Sequence, residues 1–221
     1  MKETGIIMSG DHPRLILDGL KTMTRRTWGL GKINKDPDAW MLVAVFQDGL
    51  ARFGKRDGSQ ELTVKCPYGG YGDRLWVRET WWTPPHNWNR NWREKYLPFE
   101  LPEPEKNPAL VSYKANLEPH QADRQIWCPS LFMPRWASRI LLEITELRAE
   151  RLQEVSYNDC YAEGIDKSLP DKRKLNDIVT QQVTPKTYFK ELWDSLNAKR
   201  GYGWETNPWV WVISFRALQN T

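Results

Sequence analysis

The densest chemistry in the chain lies in Gly19-Leu20-Lys21-Thr22-Met23-Thr24-Arg25-Arg26. From Lys21 to Arg26, six residues bring together three cations and two hydroxyls. A lysine supplies a compact point charge, and an arginine supplies a planar fork of donors that matches carboxylate and phosphate oxygens. Together they suit an anionic or nucleotide-like ligand. The same composition also suits a solvated surface corner, so the residues alone leave both readings open.

This stretch must be held as a corner. Leu15-Ile16-Leu17 precedes it as a short apolar run, and Gly19 ends the helix because glycine readily takes left-handed backbone angles. The Thr-Met-Thr triplet then favours an extended chain, since β-branched side chains suit a pleated strand. Asp11-His12-Pro13 marks the helix start, and Thr4 to Met8 reads as a strand before it.

A second candidate is aromatic. Among 13 tryptophans, Trp81-Trp82, Trp88 and Trp92 fall in a polar segment containing proline and arginine. Aromatics interleaved with arginines can stack bases, but they equally cover an irregular loop.

Composition sets outer bounds. The chain has 221 residues, 40% apolar and 27% charged, enough for a sizeable core. No apolar run approaches the roughly 18 residues that span a bilayer. Residues 1–10 lack the apolar stretch of a signal peptide, so the expected location is cytoplasmic, with no membrane partner. A net charge of +4 is compatible with nucleic acid without being evidence for it. Cys66, Cys128 and Cys160, and His12, His86 and His120, are scattered, so no disulfide framework, metal or cofactor is expected.

Further along, Met41–Phe46 and Ala51–Phe53 around Asp48-Gly49 predict a β-hairpin with a two-residue turn. Leu62–Lys65 predicts a strand, Pro67–Asp73 a structural turn cluster, and Arg74–Thr80 a strand with Trp76 and Arg78 on one face. Periodicity then collapses, leaving a Trp/Pro-rich insertion at about 83–126 that contains one strand candidate, Leu110–Lys114. Ala137–Leu147 predicts a long strand, and Ser156 with Asp159 a capped helix that stops at Gly164. Residues 168–184 show no period, Tyr188–Asn197 predicts an amphipathic helix, and Trp209–Phe215 a closing strand. The expected fold class is α+β: one domain over 1–221, a compact mixed β-barrel with peripheral helices and a long irregular insertion.

Four stretches in this order resemble the ASCH domain, a member of the PUA-like superfamily. They are Ile16–Arg26, like its helix and G-x-K-T-x-T-x-R corner; Gly72–Glu79, like its G-D-x-L-x-V strand; Leu152–Gly164, like its A-x-x-E-G helix; and the closing pair Tyr188–Trp193 with Trp209–Phe215. Trp76–Trp81 and Met133–Arg139 look like the long ASCH-like proteins of bacteriophages and prophages. The resemblance implies a PUA-like barrel and an RNA- or nucleotide-directed module. A bacterial branch of the family hydrolyses the acetyl amide of N(4)-acetylcytidine with a lysine, a threonine and a glutamate, which match Lys21, Thr24 and Glu163. Cys160 stands where that branch has alanine.

In that role Thr24 attacks the acetyl carbonyl, Lys21 takes its proton, and Glu163 orients the leaving amine or a water. Strand alternation is an obstacle, because positions 21 and 24 would face opposite ways unless Lys21 belongs to the turn after Gly19 or a bulge intervenes. The alternative is a non-catalytic module that binds RNA, DNA or a modified base through Arg25, Arg26 and Arg78, with Glu79 nearby and Trp28 or Trp81 stacking. A third reading is a phage accessory protein that meets a host protein through residues 82–92.

Overall fold

The computed structural model describes residues 1–83, 110–117, 127–168 and 184–218. The insertion expected at about 83–126 therefore lies largely outside the described residues, as do Trp88, Trp92 and most of the aperiodic stretch 168–184. The class is α+β: short strands dominate, with few helices. Among the described residues the strands form open sheets rather than a closed barrel. No described helix is long and apolar enough to cross a membrane.

The chain divides into two compact units, Met1–Gly19, Asp73–Glu143 and Ala217–Thr221 in one, Leu20–Gly72 and Ile144–Arg216 in the other. In the first, β1 (Glu3–Ile7) pairs in parallel with β6 (Arg74–Arg78), from Glu3 opposite Arg74 to Ile7 opposite Arg78. On its other side β6 meets the start of β9 (Leu141–Arg151) antiparallel, with Leu75 opposite Leu142. Helix α1 (His12–Leu17) has Pro13 in its first turn, as the sequence predicts. Strands β7 (Trp81–Trp82) and β8 (Ser112–Tyr113) pair as a two-stranded ribbon. Trp81, Tyr113, Cys128, Met133 and Ala137 form a buried apolar cluster in this unit.

In the second unit, β2 (Met23–Arg26) pairs antiparallel with β10 (Trp209–Leu218), which lies beside the rest of β9. Strands β3 (Trp40–Val45), β4 (Leu50–Lys55) and β5 (Glu61–Lys65) make a meander. Helix α2 (Tyr157–Ala162) packs on β2, and α3 (Pro185–Asn197) packs on α2. Met23, Leu152, Val155, Cys160, Phe189, Trp193, Val210 and Val212 form the core. Phe189 and Trp193 recur at helical spacing on α3, which is why that helix buries one face.

Several boundaries differ from expectation. Helix α3 begins earlier, at Pro185, because proline suits a first turn whose N–H would be unpaired anyway. Strand β9 starts later, at Leu141, because Arg135–Ala137 forms a 3-10 turn. The β3–β4 connection is not a two-residue turn. Gly49 N–H donates to the Phe46 carbonyl at 3.1 Å, and Gly49 alone in the loop is left-handed, φ +88°. That is a type I turn closed by a left-handed glycine. The loop also meets the Gly69-Gly70 turn so closely that a Cβ on Gly70 would fall 2.1 Å from the Gln47 carbonyl oxygen.

Candidate functional site

The corner folds as its residue types require. Gly19 takes φ +71°, and β2 begins only at Met23, so Lys21 and Thr22 lie in the turn ahead of the strand. Alternation within β2 therefore does not dictate where Lys21 points. Within the strand it does: Thr24 and Arg26 share one face, opposite Ile213 and Trp211 of β10, while Met23 and Arg25 share the other.

Helix α2 delivers Glu163. Ser156 caps its start by accepting the Asp159 N–H at 3.1 Å, and Glu163 caps its end ahead of left-handed Gly164, φ +98°. A helix end leaves carbonyls without helical partners. The corner supplies two donors: Thr22 N–H to the Ala162 carbonyl at 2.8 Å, and Lys21 Nζ to the Glu163 carbonyl at 2.8 Å. Lys21 Nζ also donates to Glu163 Oε2 at 2.7 Å. Lys21 is 1% exposed and Glu163 5%, so this ion pair is out of water.

Arg25 completes the network. Its Nη1 lies 3.3 Å from Glu163 Oε1, and its Nη2 reaches Glu150 Oε1 at 2.6 Å and Asp159 Oδ2 at 2.7 Å. Its guanidinium carbon stands 5.6 Å from the Phe189 ring centroid. Arg148 lies 3.5 Å from both Glu150 and Asp159. Lys21, Arg25 and Arg148 thus face Glu150, Asp159 and Glu163, and the charges balance. Burial drives the Lys21 pKa below the ordinary lysine value, Glu163 opposes that, and the cations Arg26 and Arg25 add to it. Burial also works against the Arg25 charge, but Glu163, Glu150 and Asp159 outweigh it and raise its pKa. Cys160 beneath is pushed up to about 11 by burial and stays a thiol.

On the opposite face of β2, Arg26 Nη1 donates to Thr24 Oγ1 at 2.6 Å and to the Arg25 carbonyl at 2.9 Å. Its side chain also hydrogen-bonds the Tyr68 hydroxyl, whose pKa is raised by burial against the pull of Arg26. Thr24 is 1% exposed. Among the described residues Thr24 shares no hydrogen bond with Lys21 or Glu163; Arg26 bonds Thr24, and its charge acts to lower the Lys21 pKa. Trp28 lies two residues beyond the end of β2 and is exposed, with its ring edge-on to Tyr68.

The remaining sequence candidates belong to the first unit and have partners there. Glu79 is buried and held by both arms of Arg139, each at 2.9 Å, while Arg139 stacks 3.9 Å from the Tyr113 ring centroid. Burial raises the Glu79 pKa despite Arg139. Arg78 lies 4.5 Å from the Trp76 ring centroid, on the face the alternation predicts. Trp81 is 1% exposed inside the apolar cluster, edge-on to Trp136. Among the described residues no group of three or more His, Cys, Asp or Glu is arranged to hold a metal ion.

Tyr68, Glu150 and Asp159 were not singled out from the sequence as site residues. Asp159 was visible only as a capping residue, although its carboxylate accepts both the Ser156 N–H of the cap and an Arg25 N–H. The alternation along β9 puts Arg148 and Glu150 on one face but carries no sign of Arg25. Tyr68 carried no signal beyond its turn. Comparison with protein-family models, with curated proteins and with solved structures returned no match.

Proposed function

We propose that the protein is an ASCH-like, PUA-type module that hydrolyses the acetyl amide of N(4)-acetylcytidine or a related acylated nucleoside. The observation that supports it most is the buried Lys21–Glu163 pair, drawn from positions 142 apart, with a threonine hydroxyl tied to the same corner through Arg26. Desolvation favours the neutral amine, the form a general base needs. Arg26 donates to Thr24 Oγ1 and so favours its deprotonated, nucleophilic form.

In this reaction Thr24 Oγ attacks the acetyl carbonyl carbon, and its proton passes to Lys21 Nζ. The bond from that carbon to the exocyclic nitrogen breaks, and Lys21 returns the proton to the leaving amine. Water then cleaves the acetyl-threonine ester, giving acetate and restoring the hydroxyl. Glu163 holds Lys21 in place throughout and balances its charge when protonated.

Incubation of the purified protein with N(4)-acetylcytidine, followed by chromatography of released cytidine, tests this directly. Release by the native chain that vanishes in Lys21→Ala and Thr24→Ala supports the reading. No release from the native chain rejects it and leaves a non-catalytic nucleic-acid module, for which salt-dependent RNA binding is the next measurement.

A further inference from the structure

We propose that Trp28 is a stacking platform for a nucleobase, aligned with the Thr24–Arg26 pair by Tyr68. The inference rests on the nucleoside-directed reading above but needs no turnover.

Trp28 is displayed by a tight turn. Leu30 N–H donates to the Thr27 carbonyl at 3.1 Å, and Gly29 is left-handed at φ +90°, which puts Trp28 at the outer corner. Its neighbours point inward, with Thr27 5% exposed and Leu30 fully buried. A Cβ on Gly29 would lie 2.9 Å from Pro67 Cγ, so the backbone is already pressed against the turn that carries Tyr68.

The indole is therefore left in water at 61% exposure, whereas every other described tryptophan is buried or half-buried. Among the described residues its one ring contact is edge-on to Tyr68, with centroids 5.8 Å apart and planes at 76°. Tyr68 is buried and hydrogen-bonded to Arg26, which donates to Thr24 Oγ1. Trp28, Tyr68, Arg26 and Thr24 form one unbroken series of contacts. A planar heteroaromatic ring is the ligand that uses an open indole face and gains from a nearby guanidinium that can meet a carbonyl or phosphate oxygen. The ring comes either as a free nucleoside or as an unpaired base in a strand.

Calorimetric titration of the native chain, Trp28→Ala and Trp28→Phe with cytidine, ribose and a short single-stranded oligocytidine tests the platform. Thermal melts confirm that each variant is folded. We expect cytidine or the oligonucleotide to bind while ribose does not, Trp28→Ala to weaken binding on the order of ten-fold, and Trp28→Phe to recover part of it. Binding of free cytidine assigns the nucleoside source, and binding of the oligonucleotide alone assigns the strand. No binding of either, equal binding of ribose, or unchanged affinity in Trp28→Ala overturns the platform. None of these ligands carries an acetyl group, so loss of the hydrolase reading and loss of the platform are separate results.

Discussion

Lys21 grips Glu163 at two points: its Nζ lies 2.7 Å from the carboxylate Oε2 and 2.8 Å from the main-chain oxygen. The first contact is a buried charge pair. The second caps a helix end. One side chain therefore ties the corner to α2 both by charge and by backbone hydrogen bonding, and substitution can separate the two effects.

Removing one charge leaves the other buried. Glu163→Gln should cost about 3–5 kcal/mol of stability, and Lys21→Met less, because Glu163 keeps Arg25 as a partner. The double variant Lys21→Met/Glu163→Gln should cost less than the sum, with a coupling of about 1–3 kcal/mol. Urea unfolding of the four proteins gives the answer. Additive losses would show that the pair is not energetically coupled.

Arg25 serves three carboxylates, and only a planar fork can do so. Arg25→Met should destabilise the fold by about 3–5 kcal/mol, since the only cation left beside Glu150 and Asp159 among the described residues would be Arg148, at longer range. Arg25→Lys should recover part of that loss but not all of it. Equal stability of the Lys variant and the native chain, read from denaturant midpoints, would contradict the geometry.

On the proposed hydrolase reading, the pH dependence of turnover follows from Lys21. Its base form is the neutral amine, so kcat/KM should rise with pH, and because its pKa is lowered the rise should lie below the ordinary lysine range. Arg26 helps to depress that pKa, so Arg26→Gln should move the rise to higher pH, apart from any loss of rate through Thr24. A profile whose midpoint does not move would remove Arg26 from the tuning of Lys21.

Asp159 contributes to the acid side of stability. Burial pushes its carboxyl up, but the Arg25 bond, the charges of Arg25 and Arg148 and the Ser156 N–H together bring it below the usual aspartate value. Between that lowered value and the ordinary one the unfolded chain holds more protons, so stability rises with pH across the window. Its contribution is fully present above the ordinary aspartate pKa and is lost as pH falls through the lowered one. Asp159→Asn should be less stable at neutral pH and show a flatter decline into acid when urea midpoints are followed down to about pH 3.

What could be read from the sequence was what lay close together along it. The Gly19 stop, the extended Met23–Arg26 segment and the Ser156–Asp159 cap are local choices of backbone angle and hydrogen bonding. The hairpin was legible from Asp48-Gly49, but its turn type was not, because Asp48 need not follow Gly49 into the left-handed region. Partners across the fold left no such trace. Tyr68 reaches Arg26 and Glu150 reaches Arg25 from distant strands and turns, and one sequence carries no periodic signal for pairs of that kind. Trp28 was legible as an aromatic near cations, whereas its exposure is set by a turn pressed against Pro67.

The close approach of the β3–β4 loop to Gly69-Gly70 gives loop length a reach beyond its own hairpin. Backbone meets backbone there, with room for no side chain on Gly49 or Gly70. Tyr68 stands on the same turn and bonds Arg26. An insertion or deletion of one residue at Gln47-Asp48 would shift the turn, and with it the aromatic and cationic groups beside Thr24. The length of a hairpin far away in sequence thus sets where those groups stand, without the replacement of any of them.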